Sequence, residues 1–175
     1  MKEEGREVAM FLYLVRHAEA KREEEDPARP LSEKGLEDIT KVASYVSLLN
    51  ISISEILHSS KLRAKQTAEV LFQSLKPVRG LKETDGLAPL DGPEIWADRL
   101  KDLRNDVILV GHLPHLAGLA SLLLCRNADN NIVSFRAGGL VCLKRDDSGR
   151  WSLQWMLTPE IVVGATGIGN YCDSL

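Results

Sequence analysis

The chain has 175 residues, of which 44% are hydrophobic and 27% charged, with a formal net charge of −3. A chain of this size and composition is expected to form a single domain over residues 1–175, burying about two-thirds of the surface its unfolded form would expose. High apolar content with low net charge excludes disorder, and the lack of excess Lys and Arg excludes a general nucleic-acid surface. The first element read along the chain is Ala9–Val15, apolar on both faces as a buried parallel strand should be. Ser32 is placed to cap a helix running to about Leu49, with Leu36, Ile39, Val42, Ala43 and Val46 at helical spacing. Ile53–His58 reads as a second strand and Leu62–Leu75 as a helix stopped by Pro77. Val78–Pro93, with its glycines and prolines, reads as an irregular loop, and Glu94–Leu103 as a helix. Val107–Val110 is a further buried strand closed by Gly111, and Leu116–Leu124 an apolar helix entered through Pro114. Ile132–Phe135, Leu140–Lys144 and Trp151–Leu157 alternate like strands, the last two joined by a turn at Asp146–Gly149.

Alternation of short apolar runs with amphipathic ones predicts an α/β fold, three layers deep, around a mostly parallel sheet. The core is expected over about 9–158, with a flexible C-terminal tail at 159–175. That tail contains Gly164-Ala-Thr-Gly167-Ile-Gly169. The spacing is wrong for a dinucleotide loop, and too few residues follow for the helix such a loop requires. No run of 18 apolar residues predicts a membrane helix, and the charged Met1–Glu7 does not resemble a signal peptide, so a cytoplasmic protein is expected. Cys125, Cys142 and Cys172 form no metal-binding spacing and read as free thiols.

The chemistry concentrates at strand ends. Val15-Arg16-His17 and Val110-Gly111-His112 each place a histidine just past a buried strand, and Ile56-Leu57-His58-Ser59-Ser60 feeds the helix that carries Arg63. In open α/β sheets the crevice beyond the carboxyl ends of parallel strands binds ligands, so Arg16, His17, Arg63 and His112 are expected to converge there. Two guanidinium forks and two imidazoles suit the oxygens of a phosphoryl group, with backbone donors added by the helix start near Arg63 and no need for a metal or other cofactor. His112 and His115 form an HxxH pair, but arginines beside it would repel a metal cation, and His115 reads instead as a rim residue. His58 reads as a packed or hydrogen-bonded residue, and Glu19 and Arg29 as residues flanking the mouth.

Arg16-His17-Ala18, Pro30-Leu31-Ser32-Glu33-Lys34-Gly35, Ser59-Ser60-Lys61-Leu62-Arg63-Ala64-Lys65-Gln66-Thr67-Ala68 and Gly111-His112-Leu113-Pro114 together resemble the signature blocks of the histidine phosphatase superfamily. The short chain, the Asp85-Gly-Leu-Ala-Pro89 loop and the Trp155-Met-Leu-Thr-Pro159 segment are most similar to its SixA-type phosphohistidine phosphatases. The resemblance implies a phosphoglycerate mutase-like fold, His17 as nucleophile through a covalent phosphohistidine intermediate, and phosphoryl binding by Arg16, Arg63 and His112. Arg29, Glu19 and His115 are further candidates for substrate contact. The implied substrate is a phosphohistidine-bearing phosphorelay or phosphocarrier protein, with a small phosphoester as the alternative and a binding module without turnover as a third reading. Ala18 replaces the glycine of the signature, which requires an ordinary backbone conformation there. Gly86 stands where relatives acting on alcohol esters would be expected to place an acid; Glu83 and Asp85 are the nearby candidates.

Overall fold

The computed structural model describes residues 9–162. Its elements, in order, are β1 (Met10–Arg16), α1 (Glu33–Leu48), β2 (Glu55–His58), α2 (Leu62–Leu75), β3 (Leu81–Glu83), α3 (Pro93–Asp102), β4 (Val107–Gly111), α4 (His115–Cys125), β5 (Leu140–Arg145) and β6 (Trp151–Leu157). The sheet order is β3-β2-β4-β1-β5-β6, parallel from β3 through β1 and antiparallel across β1/β5 and β5/β6.

Strand periodicity divides the apolar side chains between two faces, as the alternation of Cβ directions requires. Tyr13, Val15, Ile108 and Val110 face one way and pack with Ile39, Val42, Val46, Ala64, Ala68 and Leu71 of α1 and α2. Met10, Leu12, Leu14, Val107 and Leu109 face the other way, against Trp96 and Leu100 of α3 and Leu116, Leu119 and Ala120 of α4. The result is the expected three-layer α/β/α sandwich.

Local signals explain the helix ends. The Ser32 hydroxyl accepts from Gly35 N at 3.0 Å and caps α1. Gly35 is required there, since a Cβ at that position would stand 2.0 Å from the Glu19 carbonyl oxygen. Helix α2 closes on Lys76 in the left-handed conformation, followed by Pro77.

Several expectations change. The loop expected over Val78–Pro93 contains β3, a three-residue edge strand pairing with β2. Ile132–Phe135 is not a strand: a 3₁₀ turn at Ala128–Asn130 precedes it, and it lies against the core as an extended segment with Val133 and Phe135 buried. Leu36 is 50% exposed rather than part of the buried face of α1. Packing also continues past residue 158, into the stretch expected to be a flexible tail: Pro159 is buried, and Val162 joins the cluster under α1 and α2 because its apolar side chain finds space there. The remainder of that tail, including the glycine cluster at 164–169, lies outside the described residues.

Candidate active site

Parallel register brings the site together. β1 and β4 are neighbours with Arg16 opposite Gly111, so His17 and His112 leave the sheet side by side. His17 N donates to the Gly111 carbonyl at 3.0 Å, and the two imidazole rings stand 5.0 Å apart between centroids. β2 lies on the other side of β4, and its extension places Ser59, whose N–H donates to the Val110 carbonyl at 3.1 Å, beside His112. Arg63, in the first turn of α2, completes the group: its Nε donates to His17 Nε2 at 3.3 Å. Arg16, His17, Arg63 and His112 therefore lie at one end of the sheet, where the strand-end positions predicted them.

The tautomer of His17 follows from its neighbours. Its Nδ1 lies 2.7 Å from the carbonyl oxygen of Ala18. A carbonyl only accepts, so Nδ1 carries the proton and Nε2 presents its lone pair. Burial pushes the His17 pKa down to about 4, with the Arg63, Arg16 and Arg29 charges adding to the shift and the Ala18 carbonyl opposing it. At neutral pH the ring is uncharged, with its Nε2 lone pair facing Arg63. His112, 1% exposed, is pushed down to about 3, first by burial and then by His17, Arg63, Lys61 and His115. Its ring is therefore uncharged in the free protein, although a positive charge suits the expected phosphate role.

Thr67 links these parts. Fully buried in α2, its hydroxyl accepts from Ala18 N at 3.0 Å and donates to the Arg63 carbonyl at 2.7 Å. It thus holds both the residue that fixes the His17 tautomer and the residue that contacts the His17 lone pair. Ala18 itself is buried and is absent from the positive-φ positions, as its substitution for glycine requires. Arg16 is oriented from the far side: its Nη1 donates to the Phe135 carbonyl at 3.0 Å, while its Nε is buried without a partner. The segment expected to be a strand at Ile132–Phe135 is thus used to aim a guanidinium.

The remaining candidates separate. Arg29, in the left-handed conformation at φ 51, brings a third guanidinium charge that acts on both His17 and Arg63. Glu19 is committed elsewhere, its carboxylate accepting from the Ser32 hydroxyl at 2.8 Å where α1 begins. His115 is 2% exposed, so it is a buried residue at the start of α4 and not a rim residue. Burial lowers its pKa, against the Asp91 and Glu94 charges that raise it. His58 is buried with Nδ1 donating to the Ser59 carbonyl at 2.8 Å, as expected of a packed residue. Asp85 pairs with Arg99 at 2.8 Å. Glu83 ends β3 opposite His58, exposed and without an ion-pair partner among the described residues. Gly86 has φ +76, and a Cβ there would stand 2.8 Å from Ile95 Cγ2, so a side chain would strain the backbone and displace Ile95.

Ser59 and Thr67 were not singled out from sequence as functional. Both lie in the Ser59–Ala68 block, and their burial beside charged neighbours is what marks them.

An uncharged imidazole at the carboxyl end of a parallel sheet, surrounded by guanidinium groups, is chemically suited to a phosphoryl anion. Residues 12–99 match the family model of the histidine phosphatase superfamily (branch 1), and the chain belongs to that superfamily, which supports phosphatase chemistry. Among curated proteins, it is 25% identical to the phosphohistidine phosphatase SixA of Escherichia coli over 155 residues, covering 86% of this chain and 94% of that one. Among solved structures, the protein histidine phosphatase SixA complexed with tungstate superposes with a TM-score of 0.77 at 23% identity, covering 86% of this chain and 97% of that one. The alpha-ribazole phosphatase from Shigella flexneri gives 0.71 at 16% identity, covering 86% and 97%. These likenesses establish the phosphoglycerate mutase-like fold expected from sequence. No helix among the described residues is long and apolar enough to cross a membrane.

Proposed function

We propose that the protein is a metal-independent phosphatase that removes phosphoryl groups from protein phosphohistidine, with His17 as the covalent nucleophile. The observation that carries the reading is the state of His17: a neutral ring with Nδ1–H held by the Ala18 carbonyl and a lone pair on Nε2 set against Arg63. Nucleophile and phosphate-binding cation are thereby fixed before substrate arrives, which lowers the entropy cost of reaching the transition state.

The His17 Nε2 lone pair attacks phosphorus while the bond from phosphorus to the leaving nitrogen breaks. That bonding pair departs with the substrate imidazole, which takes a proton from solvent. Arg16, Arg63 and the His112 donor bind the three equatorial oxygens, on which charge is spread in the transition state. Water then attacks the phosphorus held on His17, the P–N pair returns to Nε2, and phosphate and a proton leave.

The substrate class rests on the leaving group. Among the described residues, no carboxylate hydrogen-bonds or ion-pairs with Arg16, His17, Arg63 or His112. An alkoxide leaving group needs a positioned acid, whereas imidazole on a labile P–N bond needs less protonic help. Similarity to the curated phosphohistidine phosphatase supports the same reading.

The test compares turnover of a phosphohistidine-bearing protein with that of an unactivated alkyl phosphate, in wild type and in Glu83→Gln. The expected outcome is preference for phosphohistidine, with that rate insensitive to Glu83→Gln. Equal turnover of both substrates would favour a small-molecule phosphomonoesterase. In that case Glu83→Gln should lower the alkyl phosphate rate by about 10²-fold or more, the usual share of a general acid.

A further inference from the structure

His112 raises a question that the nucleophile does not. Its Nε2 lies 2.9 Å from the Ser59 hydroxyl, while its Nδ1 is buried without a protein partner. Imidazole and hydroxyl can each donate or accept, so the distance alone leaves two arrangements open.

Counting buried groups decides between them. Ser59 is 1% exposed, and its Oγ accepts a long hydrogen bond from Lys61 N at 3.4 Å. If His112 Nε2–H donated to Ser59, the serine proton would have no acceptor among the described hydrogen bonds. The Nδ1 lone pair would be orphaned as well, giving two unsatisfied buried groups. If the Ser59 O–H donates to Nε2, the hydroxyl is satisfied in both roles and one unpartnered group remains, the Nδ1–H of His112. Each buried unsatisfied group costs about 1–3 kcal/mol, so the second arrangement is preferred.

Electrostatics points the same way. The groups acting on His112 are His17 from the end of β1, Arg63 of α2 and Lys61 just before it, and His115 of α4. The cations among them, Arg63 and Lys61, favour an anion beside the ring, to which a buried N–H is complementary and a buried lone pair is not.

We infer that Ser59 is a positioning residue that sets the tautomer of His112, placing the proton on Nδ1 as the donor to the transferring phosphoryl group. The inference rests on the proposed phosphoryl role of His112 and adds what prepares it. The two catalytic imidazoles then share one tautomer reached by different means. A backbone carbonyl takes the Nδ1 proton of His17, and a serine hydroxyl occupies Nε2 of His112.

Full-length protein labelled with ¹⁵N-histidine provides the test, with ring signals assigned by comparison with His112→Ala and turnover followed on an activated aryl phosphate. Wild type should show His112 with Nδ1 protonated and Nε2 bare. Ser59→Ala should mix the tautomers and lower kcat about tenfold, the effect of about 1.4 kcal/mol, with the smaller change in KM. Ser59→Thr, which keeps the hydroxyl, should restore both tautomer and rate. Added to His112→Ala, Ser59→Ala should cause no further loss, because it acts through the missing ring. An Nε2-protonated His112 in wild type would overturn the inference, as would an unchanged tautomer in Ser59→Ala or additive losses in the double variant. If the tautomer responds as stated while His112→Ala retains full turnover, Ser59 orients a ring that does not act on phosphate. That outcome overturns the proposed role of His112 rather than the Ser59 contact.

Discussion

The two histidines of the site differ in how completely the protein satisfies their ring nitrogens. On the His17 side both ring nitrogens are engaged, Nδ1 by the Ala18 carbonyl and Nε2 by Arg63, and Thr67 fastens both of those partners. On the side of β4 and α4, His112 Nδ1 and both nitrogens of His115 are buried without partners. The contrast matches the two tasks proposed for these rings. A nucleophile must be held in one orientation and one tautomer before substrate arrives. A group that binds developing charge must keep a donor in reserve, and an unpartnered N–H in a cationic surrounding is such a reserve.

The largest effect that would sharpen this comparison is expected from His112→Ala. Loss of a donor to transition-state oxygens should lower kcat by about 10²–10³-fold. Inorganic phosphate should still bind, because Arg16 and Arg63 remain. A loss confined to KM would show that His112 binds ground state and transition state alike, and would break the division of tasks. Thr67→Val comes next. It removes the hydroxyl that accepts from Ala18 and donates to Arg63 while nearly preserving shape, and should lower kcat by about thirtyfold at roughly 1 kcal/mol for each of the two hydrogen bonds. Thr67→Ser should recover most of that, whereas a valine variant as active as wild type would show that the His17 side needs no such fastening.

The smallest effect is a matter of pH. His17 is pushed down to about 4 and His112 to about 3, both by burial first. After correction for substrate ionisation, kcat/KM should stay flat through the ordinary histidine range and fall only as pH approaches 4, where His17 gains a proton and loses its lone pair. The same shifts act on stability. Below about pH 6.5 the unfolded chain takes up protons at both histidines that the folded chain refuses. Stability should therefore decline as pH falls from about 6.5 toward the folded values, measurable by denaturant titration. An acid limb near 6.5 would place His17 in a solvated, unperturbed setting.

Much of this site was legible from sequence because it depends on parallel strands, whose ends align wherever their registers do. Arg16, His17 and His112 followed from two apolar runs that each stop at a histidine, and Arg63 from the start of the helix after a third. The Ile132–Phe135 reading shows where such inference ends. Its period of two is real, with Val133 and Phe135 buried and Ile132 and Ser134 exposed, but the segment lies outside the six-stranded sheet. Alternation reports a half-buried extended chain, not hydrogen bonding to a neighbour. His115 was misplaced for a related reason: its spacing from His112 gives no information about how deeply it is buried. β3, three residues at the sheet edge, is too short to carry a pattern.

The central claim is that His17 becomes phosphorylated on the nitrogen left free by its Ala18 hydrogen bond. The direct measurement is a rapid quench of the enzyme with labelled phosphohistidine protein, followed by mapping of the label to residue and ring atom. The account predicts an acid-labile, alkali-stable phosphoryl group on Nε2 of His17, formed at full rate in the presence of chelator and absent from His17→Ala. A label on another residue, on Nδ1, or formed only with added metal would contradict it.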